Sequence, residues 1–281
     1  MTTLATPFRR VSEPSEVADV RPLRRRLGPG EPIRFGGLIG IVFLLAAWVL
    51  GSATGLIDPR TLTEPWTVLQ TAGMLIESGR LQESLVTSGI RAALGLCLGV
   101  VAGTVLAVIS GLSRVGESLI DGPIQVKRSI PTLALIPLLI LWLGIGEPMK
   151  VITIALAVFV PIYIHTHNGL RTIEGRYAEL AETLGVSRSE FIRHVVLPGA
   201  MPGFLLGLRF AVTSSLLALV VVEVINATSG IGHMITLASS YGQTDIIVVG
   251  LVVYALLGVT ADAVVRFIER KALSWRRTLA S

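Results

Sequence analysis

The sequence has 281 residues, of which 52% are hydrophobic and only 15% are charged, with a formal net charge of +5 at pH 7. Soluble globular proteins carry charged residues at about a quarter of their positions, so this composition argues against a soluble enzyme. The single cysteine, Cys97, excludes a disulfide framework and fits a small apolar residue inside a helix.

Residues 1–34 form a polar segment with five prolines, seven arginines and no apolar run. Such a segment cannot bury enough apolar surface to fold by itself, so we expect a disordered cytoplasmic tail. The pair Arg9 and Arg10 is typical of twin-arginine export signals. The apolar core of a signal peptide does not follow at the expected distance, however, so we expect no such signal.

Six blocks of mostly apolar residues follow the tail, and each is long enough to cross a bilayer as a helix. They are 35–57, 92–112, 129–146, 151–170, 203–226 and 246–267. Between the first two blocks, the apolar residues of 61–83 predict a short helix on the external membrane face. The sequence therefore predicts an all-α polytopic membrane protein with six transmembrane helices.

The lysines and arginines are distributed unevenly among the segments that join these blocks. The tail, 113–128, 171–202 and 266–281 hold seven, three, four and five of them, which is 19 of 24. The opposite side would hold only Arg60, Arg80, Arg91 and Lys150. Because cytoplasmic loops carry the excess of positive residues, this distribution predicts that both termini are cytoplasmic. It also explains the positive net charge without nucleic-acid binding.

The longest predicted cytoplasmic loop, 171–202, begins with an amphipathic helix. Apolar residues recur at helical spacing at Tyr177, Leu180, Ala181 and Leu184. Gly185 follows the last of them, where a left-handed C-terminal cap favours glycine. The pattern predicts a helix that ends in a sharp turn at Gly185.

A second helix is predicted directly after the turn. Ser187 and Glu190 have the spacing of a capping box, which marks a helix start. Its apolar face comprises Phe191, Ile192, Val195 and Val196. Pro198 is expected to help end this helix before the fifth span, because the residue before a proline disfavours helical backbone. The loop would thus present a compact helix–turn–helix unit.

Periodicity alone leaves three interpretations of this unit open. It could be an amphipathic connector on the membrane surface, a docking element for another protein, or a DNA-binding helix-turn-helix. Both of its flanks enter the bilayer within a few residues, and the loop is too short for a separate three-helix core. These constraints argue against DNA binding.

The loop resembles the EAA loop of bacterial ABC importer permeases, in which E-A-A is followed by a glycine and then by I-x-L-P. The corresponding residues are Glu179, Leu180, Ala181, Gly185, Val195, Leu197 and Pro198. Leu180 and Val195 depart mildly from the pattern, and the spacing matches throughout. The resemblance implies that Glu179, Ala181, Gly185, Leu197 and Pro198 belong to a coupling loop that docks in a cleft of a cytoplasmic ATPase subunit.

Three longer stretches, 109–147, 159–171 and 244–270, look like the aliphatic-sulfonate permeases, which are grouped with taurine, nitrate and bicarbonate permeases. This resemblance implies a type I ABC importer (MetI-like) core over 84–270, after a first transmembrane helix and external segment over 35–83. Residues 271–281 would be a cytoplasmic tail. It also implies an inner-membrane location, a periplasmic or lipid-anchored substrate-binding protein and a small organic anion as substrate.

One chain offers one coupling loop, whereas an ABC pump has two ATPase subunits, so the resemblance further implies a second copy of the chain. ATP would be hydrolysed by the partner, because the sequence contains no P-loop signature and no legible catalytic cluster. His165 and His167 are two residues apart on different helix faces and make a poor metal pair, so we expect neither metal nor cofactor.

Four residues with charged side chains interrupt the apolar blocks, namely Arg209, Glu223, Asp262 and Arg266. Arg209 could snorkel to the inner headgroups or face a transport pathway, and Glu223 could belong to an outer gate or to a structural ion pair. Ser214 lies between them and could line the same pathway, or hydroxyls here could bond back to the helix. An ion-coupled secondary transporter, a membrane enzyme or a receptor remain alternatives, but none accounts for the loop spacing.

Overall fold

The structure is a computed structural model that describes residues 36–275, and within that range all regular secondary structure is helical. The helices are α1 (Gly36–Ala53), α2 (Pro65–Glu77), α3 (Arg80–Leu112), α4 (Arg114–Ser129), α5 (Ile136–Leu143), α6 (Glu147–Arg171), α7 (Gly175–Thr183), α8 (Arg188–Phe191), α9 (Leu197–Asn226), α10 (Ile231–Ser240) and α11 (Thr244–Ala272). The chain divides into a first unit that ends at Ala46 and a second that begins at Ala47. The predicted disordered tail, 1–34, lies outside the described residues.

Four described helices are long and apolar enough to cross a membrane. They are α3, α6, the continuous helix Arg188–Asn226 and α11, which correspond to the predicted second, fourth, fifth and sixth spans. The apolar part of α1, Ile39–Ala53, is shorter than a full span. The exact count of six spans is therefore not confirmed within 36–275.

The predicted third span, 129–146, is not a straight helix. Here α4 and the segment Thr132–Leu143 meet at 91°. Ile130 precedes Pro131 and has extended backbone, with φ −97° and ψ 119°, because the proline ring crowds a helical residue before it. The segment from Arg114 to Leu143 is therefore a bent helix pair, with the geometry of either a broken span or a re-entrant loop.

The second span begins earlier in the sequence than predicted. The short helix predicted within 61–83 is present as α2, and α3 already begins at Arg80 instead of residue 92. Arg91 and Lys150 were expected in loops, yet both side chains are buried within the bundle. The helix can extend through Arg91 because its charge is paired inside the protein.

The helix α6 packs between α3 and α9 and forms most of the core with them. On α3, Gly95, Gly99 and Gly103 face α6 so closely that an added Cβ at each would lie 2.5–2.8 Å from α6 atoms. Small residues at four-residue spacing allow two helix backbones to approach in this way. On the other side of α6, Gly169 packs against α9 near Gly203.

Pro198 does not end the second loop helix, contrary to the sequence-based prediction. The chain is helical without a break from Arg188 to Asn226. A π-helical turn over Ile192–Val196 precedes the proline, and the Leu197 amide donates to the Ile192 carbonyl. An extra residue in that turn gives room for a ring that would otherwise clash with the carbonyl four residues earlier. The loop is thus joined rigidly to α9.

We call the end of the bundle that carries α7 and α8 the loop end, and the end that carries α2 and α10 the far end. At the far end, Thr71 of α2 donates a hydrogen bond of 2.7 Å to Asp245 at the start of α11. The predicted C-terminal tail begins inside α11, because that helix continues to Ala272.

Candidate functional site

The turn between α7 and α8 is a Schellman motif centred on Gly185. Gly185 has φ +68°, the left-handed conformation that only glycine adopts at no cost. The Val186 amide donates to the Ala181 carbonyl at 2.9 Å, and the Gly185 amide donates to the Glu182 carbonyl at 3.1 Å. These two bonds satisfy carbonyls that would otherwise be left free at the helix end. The predicted sharp turn is confirmed.

The predicted capping box at the start of α8 is also confirmed. The Glu190 amide donates to the Ser187 hydroxyl at 3.3 Å, and the Ser187 amide donates to the Glu190 carboxylate at 3.1 Å. Both orphan donors at the helix start are therefore satisfied by the loop itself. The loop is preorganised by hydrogen bonds at both sides of Gly185.

An apolar groove runs along the loop between α7 and the helix that follows. Tyr177, Leu180 and Leu184 are 54%, 55% and 70% exposed. Phe191 and Val195 line the other side of the same groove. Apolar side chains that remain this exposed in a cluster commonly mark a contact surface for another protein or for a membrane.

The base of the loop is anchored to the bundle by a small buried cluster. Val196 and Ala200 pack against Leu170 of α6, with Phe191 and Ile192 partly buried on the cluster. The outer part of the loop is held mainly by its own hydrogen bonds, and the Arg188 guanidinium donates one of 3.2 Å to the Leu112 carbonyl of α3. Movement of the groove would therefore be transmitted directly to α6 and α9.

The residues of the EAA-like motif occupy different parts of this loop. Glu179 is exposed and Ala181 half-buried on α7, while Leu197 is exposed and Pro198 half-buried at the start of α9. The ion pair of the described α7 region joins Glu174 to Arg176 instead of using Glu179. The Glu179 carboxylate therefore has no observed role in fixing the loop against its own second helix.

Arg209 forms an ion pair with Asp262 of α11, at 3.3 Å, and Asp262 also pairs with Arg266 at 2.9 Å. Arg209 and Asp262 line a cleft of about 410 Å³ between α9 and α11, together with Thr213. The Thr213 hydroxyl donates back to the Arg209 carbonyl. Ser214 is half-buried on another face of α9 and is not brought to this cleft.

Glu223 is buried at the far end and forms an ion pair of 2.7 Å with Arg91 of α3. Its carboxylate also accepts hydrogen bonds from the Ser88 hydroxyl, the Tyr254 hydroxyl and the Gly232 amide, at 2.8, 2.9 and 3.0 Å. A buried charge is tolerated when it is paired and fully hydrogen-bonded. The geometry places Glu223 in a structural ion pair, one of the two roles that the sequence left open.

The same arginine reaches a third helix. Arg91 donates two hydrogen bonds of 2.6 Å to Glu147 at the start of α6, and the Lys150 ammonium donates to Glu147 at 2.8 Å. A fork-shaped guanidinium suits such bidentate recognition. We call Arg91, Glu147, Lys150 and Glu223 the far-end ion cluster. The sequence analysis did not predict this cluster. The signal that could have revealed it is Glu223, because an acidic residue inside an apolar block requires a cation nearby.

Gly230 closes over this cluster with φ +105°. A Cβ added there would lie 2.4 Å from a Glu223 carboxylate oxygen and 2.7 Å from an Arg91 nitrogen. Both the backbone conformation and the space therefore require glycine at the corner between α9 and α10.

Among residues 36–275, no group of three His, Cys, Asp or Glu side chains is arranged to hold a metal ion. His165 stacks on Phe210 with ring centroids 5.1 Å apart, and His167 stacks on Tyr163 at 5.5 Å. The two histidines thus have separate aromatic neighbours.

Several known proteins are similar to this chain. An aliphatic sulfonates transport permease protein, SsuC, of Escherichia coli (strain K12) is 43% identical over 83% of this chain and 89% of its own length. The SsuC of Bacillus subtilis (strain 168) is 37% identical over 90% and 92%. The taurine transport system permease protein TauC of E. coli is 31% identical over 84% and 87%.

A solved chain from the crystal structure of an amino acid ABC transporter with histidines shares the fold. Its TM-score is 0.59 at 18% identity, and the match covers 71% of this chain and 97% of that one. The family model described as the inner membrane component of binding-protein-dependent transport systems matches residues 95–274. Since this match covers more than half of the sequence, the chain belongs to the family of binding-protein-dependent transport system inner membrane components, the permeases of ABC importers.

Proposed function

We propose that this permease translocates an aliphatic sulfonate or a similar small organic anion across the bacterial inner membrane. The observation that carries the proposal is the 43% and 37% identity to the two SsuC proteins over most of each chain. Taurine is the first alternative, because TauC is 31% identical. Nitrate and bicarbonate are further alternatives within the subfamily that the sequence resembles, and an ion-coupled secondary transporter is the alternative from another class.

Energy for transport would come from an ABC ATPase subunit bound at the loop end, on the cytoplasmic side. The exposed apolar groove between α7 and Val195 supports such docking, because an ordered loop with an unburied apolar face gains free energy by binding a partner. The Gly185 turn and the Ser187 capping box support a rigid docking unit. The roles of Glu179, Ala181, Leu197 and Pro198 in this contact are part of the proposal.

Two copies of the chain would form the pathway between them, and a substrate-binding protein would deliver the anion at the far end. Closure of the two ATPases would pull on both loops, and the continuous helix from Arg188 to Asn226 would carry the movement towards the far end. Such coupling requires contacts that differ between the inward-open and outward-open states. Arg209 would lie near the cytoplasmic headgroups, and Glu223 would stabilise the far-end corner.

A deletion strain tests the substrate. We expect it to lose growth on alkanesulfonates as the sole sulfur source, to keep growth on sulfate, and to recover when the gene is restored. In a strain without a second uptake system for alkanesulfonates, unchanged growth on them would reject this substrate. Uptake of taurine or nitrate by the reconstituted transporter would then identify the alternative.

A further inference from the structure

The helix α4 runs alongside the half of α6 that is nearer the loop end. Near that end Glu117 pairs with Arg171, and farther along Ile124 packs against Tyr163. Near the C-terminal end of α4, the Lys127 ammonium donates a hydrogen bond of 2.6 Å to the Leu156 carbonyl. These contacts fix the depth of each turn of α4 relative to α6.

With α6 centred in a bilayer, the end of α4 would lie near the middle of the membrane. Leu156 is the tenth residue of α6, so it is about 14 Å from the far end of that helix and about 22 Å from its loop end. The hydrocarbon core of a bilayer is about 30 Å thick, so this position is deep inside it. Arg128 is the next residue after Lys127 and therefore starts from the same depth.

Arg128 differs from Lys127 in its surroundings. The Lys127 ammonium is held by the Thr132 hydroxyl at 2.9 Å and by the Leu156 carbonyl. The Arg128 side chain is exposed, and no carboxylate of the described residues lies within ion-pair distance of it. An arginine at this depth would not face lipid, because hydrocarbon offers its charge neither water nor a counter-ion.

The backbone around Arg128 gives an independent reason for water at this place. Helix α4 ends at Ser129, and Ser129, Ile130 and Pro131 are all exposed at the 91° break. Irregular backbone at membrane depth is tolerated where it is buried in protein or lines a water-filled cavity. This break is exposed in the single chain, so either a water-filled path or the second copy would have to cover it, and the charge of the adjacent Arg128 favours water.

A polar stripe connects Arg128 to the loop end of the molecule. Asp121, Gln125 and Arg128 recur at helical spacing along α4, and the Gln125 amide donates to Asp121 at 3.2 Å. The apolar residues Ile120 and Ile124 instead pack into the bundle. The exposed residues Gln125 and Arg128 would therefore line the path on the loop-end side of the break.

We propose that Arg128 projects into the aqueous transport path and binds the anionic group of the substrate at the middle of the membrane. The inference rests on the proposed function, since it assumes a small organic anion. Arg209 is less suited to the role, because its guanidinium already pairs with Asp262 of α11. Arg209 also lies 17 residues before the end of α9, and this places it about 25 Å from the far end. It is therefore closer to the loop end than Arg128 is.

Charge rescue tests this inference directly. The variant Arg128→Cys is made in a Cys97→Ala background, since Cys97 is the chain's single cysteine. It is reconstituted in liposomes with its ATPase and binding-protein partners, and uptake of hexanesulfonate is measured. We expect at least a tenfold loss of uptake. Aminoethyl methanethiosulfonate, which attaches a cation to the thiol, should restore at least half of it, whereas the sulfonatoethyl reagent should not.

The matched control is Arg114→Cys, which replaces an exposed arginine at the loop end of the same helix. We expect neither reagent to change uptake by this variant by more than about twofold. A twofold change corresponds to about 0.4 kcal/mol, because a tenfold change corresponds to about 1.4 kcal/mol. Hexanesulfonate should also slow modification of the thiol introduced at Arg128 and leave that at Arg114 unaffected.

Several outcomes would overturn the inference. Normal uptake by Arg128→Cys would show that the cation is not needed, and a thiol that neither reagent modifies would show that the position faces lipid or a second copy. Loss of uptake that the aminoethyl group does not repair would indicate a packing role. If the Cys97→Ala protein transports no sulfonate, taurine or nitrate at all, the proposed function itself fails.

Discussion

The Arg91 guanidinium and the Glu223 carboxylate lie 2.7 Å apart, with side chains that are 2% and 0% exposed. Together they tie α3 to α9, and through Glu147 the same arginine ties both helices to α6. Two charges this deeply buried lose their hydration, and their attraction compensates only when both are present with good geometry. The pair therefore fixes where the three helices meet at the far end.

Removal of one partner should cost more than removal of an exposed ion pair. We expect Glu223→Ala to destabilise the folded protein by about 3–5 kcal/mol, because Arg91 loses its fully buried counter-charge and keeps only Glu147, whose side chain is 56% exposed. The control, Asp262→Ala, breaks the ion pairs with Arg209 and Arg266, whose side chains are 45% and 46% exposed, and should cost about 1 kcal/mol or less. Thermal unfolding in detergent measures both, and equal losses of stability would contradict the assigned difference.

Close packing of α3 on α6 gives a second prediction. A Cβ at Gly99 would lie 2.6 Å from the Ala155 carbonyl oxygen, which is backbone and cannot turn away. We expect Gly99→Ala to destabilise the protein by about 1–3 kcal/mol through overpacking.

Gly89 is the matched control within the same helix, because no atom lies within 4 Å of a Cβ added there. Alanine is a better helix former than glycine by about 1 kcal/mol, so Gly89→Ala should be neutral or stabilising. The two substitutions are chemically identical, and opposite signs in thermal unfolding would distinguish contact from propensity. A stabilised Gly99→Ala would rule out the close approach.

The Gly185 turn gives a third prediction. Gly185 has φ +68° and no atom within 4 Å of an added Cβ, so a substitution there is opposed by backbone strain and not by crowding. A β-branched side chain should cost at least about 1–2 kcal/mol in this conformation. We expect Gly185→Val to abolish uptake while the bundle stays folded in the membrane, because the loop is held mainly by its own hydrogen bonds.

The control is Gly185→Asn, since asparagine tolerates left-handed backbone better than other residues with a side chain. It should keep most of the uptake that valine removes. Retention of the ATPase subunit during purification and stimulation of its ATP hydrolysis by loaded binding protein measure the effect at equal membrane abundance. Normal values for Gly185→Val would mean that the loop is only a connector.

The loop was the part of the chain most predictable from the sequence. Gly185 ends the first loop helix, and the Ser187–Glu190 capping box begins the second. Both signals act over a few residues through hydrogen bonds to the backbone. Pro198 was misjudged because a π turn, which no local pattern reveals, absorbs the proline. Local rules succeed where the forces are local.

The far-end ion cluster was not predictable in the same way. Arg91 and Glu223 are separated by 132 residues, and only the folded bundle brings them together. Taken alone, Arg91 at the edge of an apolar block looks like a loop residue. The break at Ile130 was predictable in part. Pro131 indicates an interruption of the helix there, but the 91° angle depends on how the two helical segments pack in the bundle.

The last prediction concerns orientation in the membrane. Arg80, Ser187 and Ser274 are all exposed, and they lie at the start of α3, in the loop and just beyond α11. In a Cys97→Ala background, each is replaced in turn by cysteine and treated with a membrane-impermeant thiol reagent in intact cells. The excess of Lys and Arg at the loop end predicts a cytoplasmic location for that end. We therefore expect Arg80→Cys to be modified from outside, whereas Ser187→Cys and Ser274→Cys should react only after the membrane is opened. Each variant must first be shown to take up substrate, so that misfolded protein does not contribute. Modification of Ser187→Cys in intact cells would place the loop on the wrong side for an ATPase and would refute the proposed coupling.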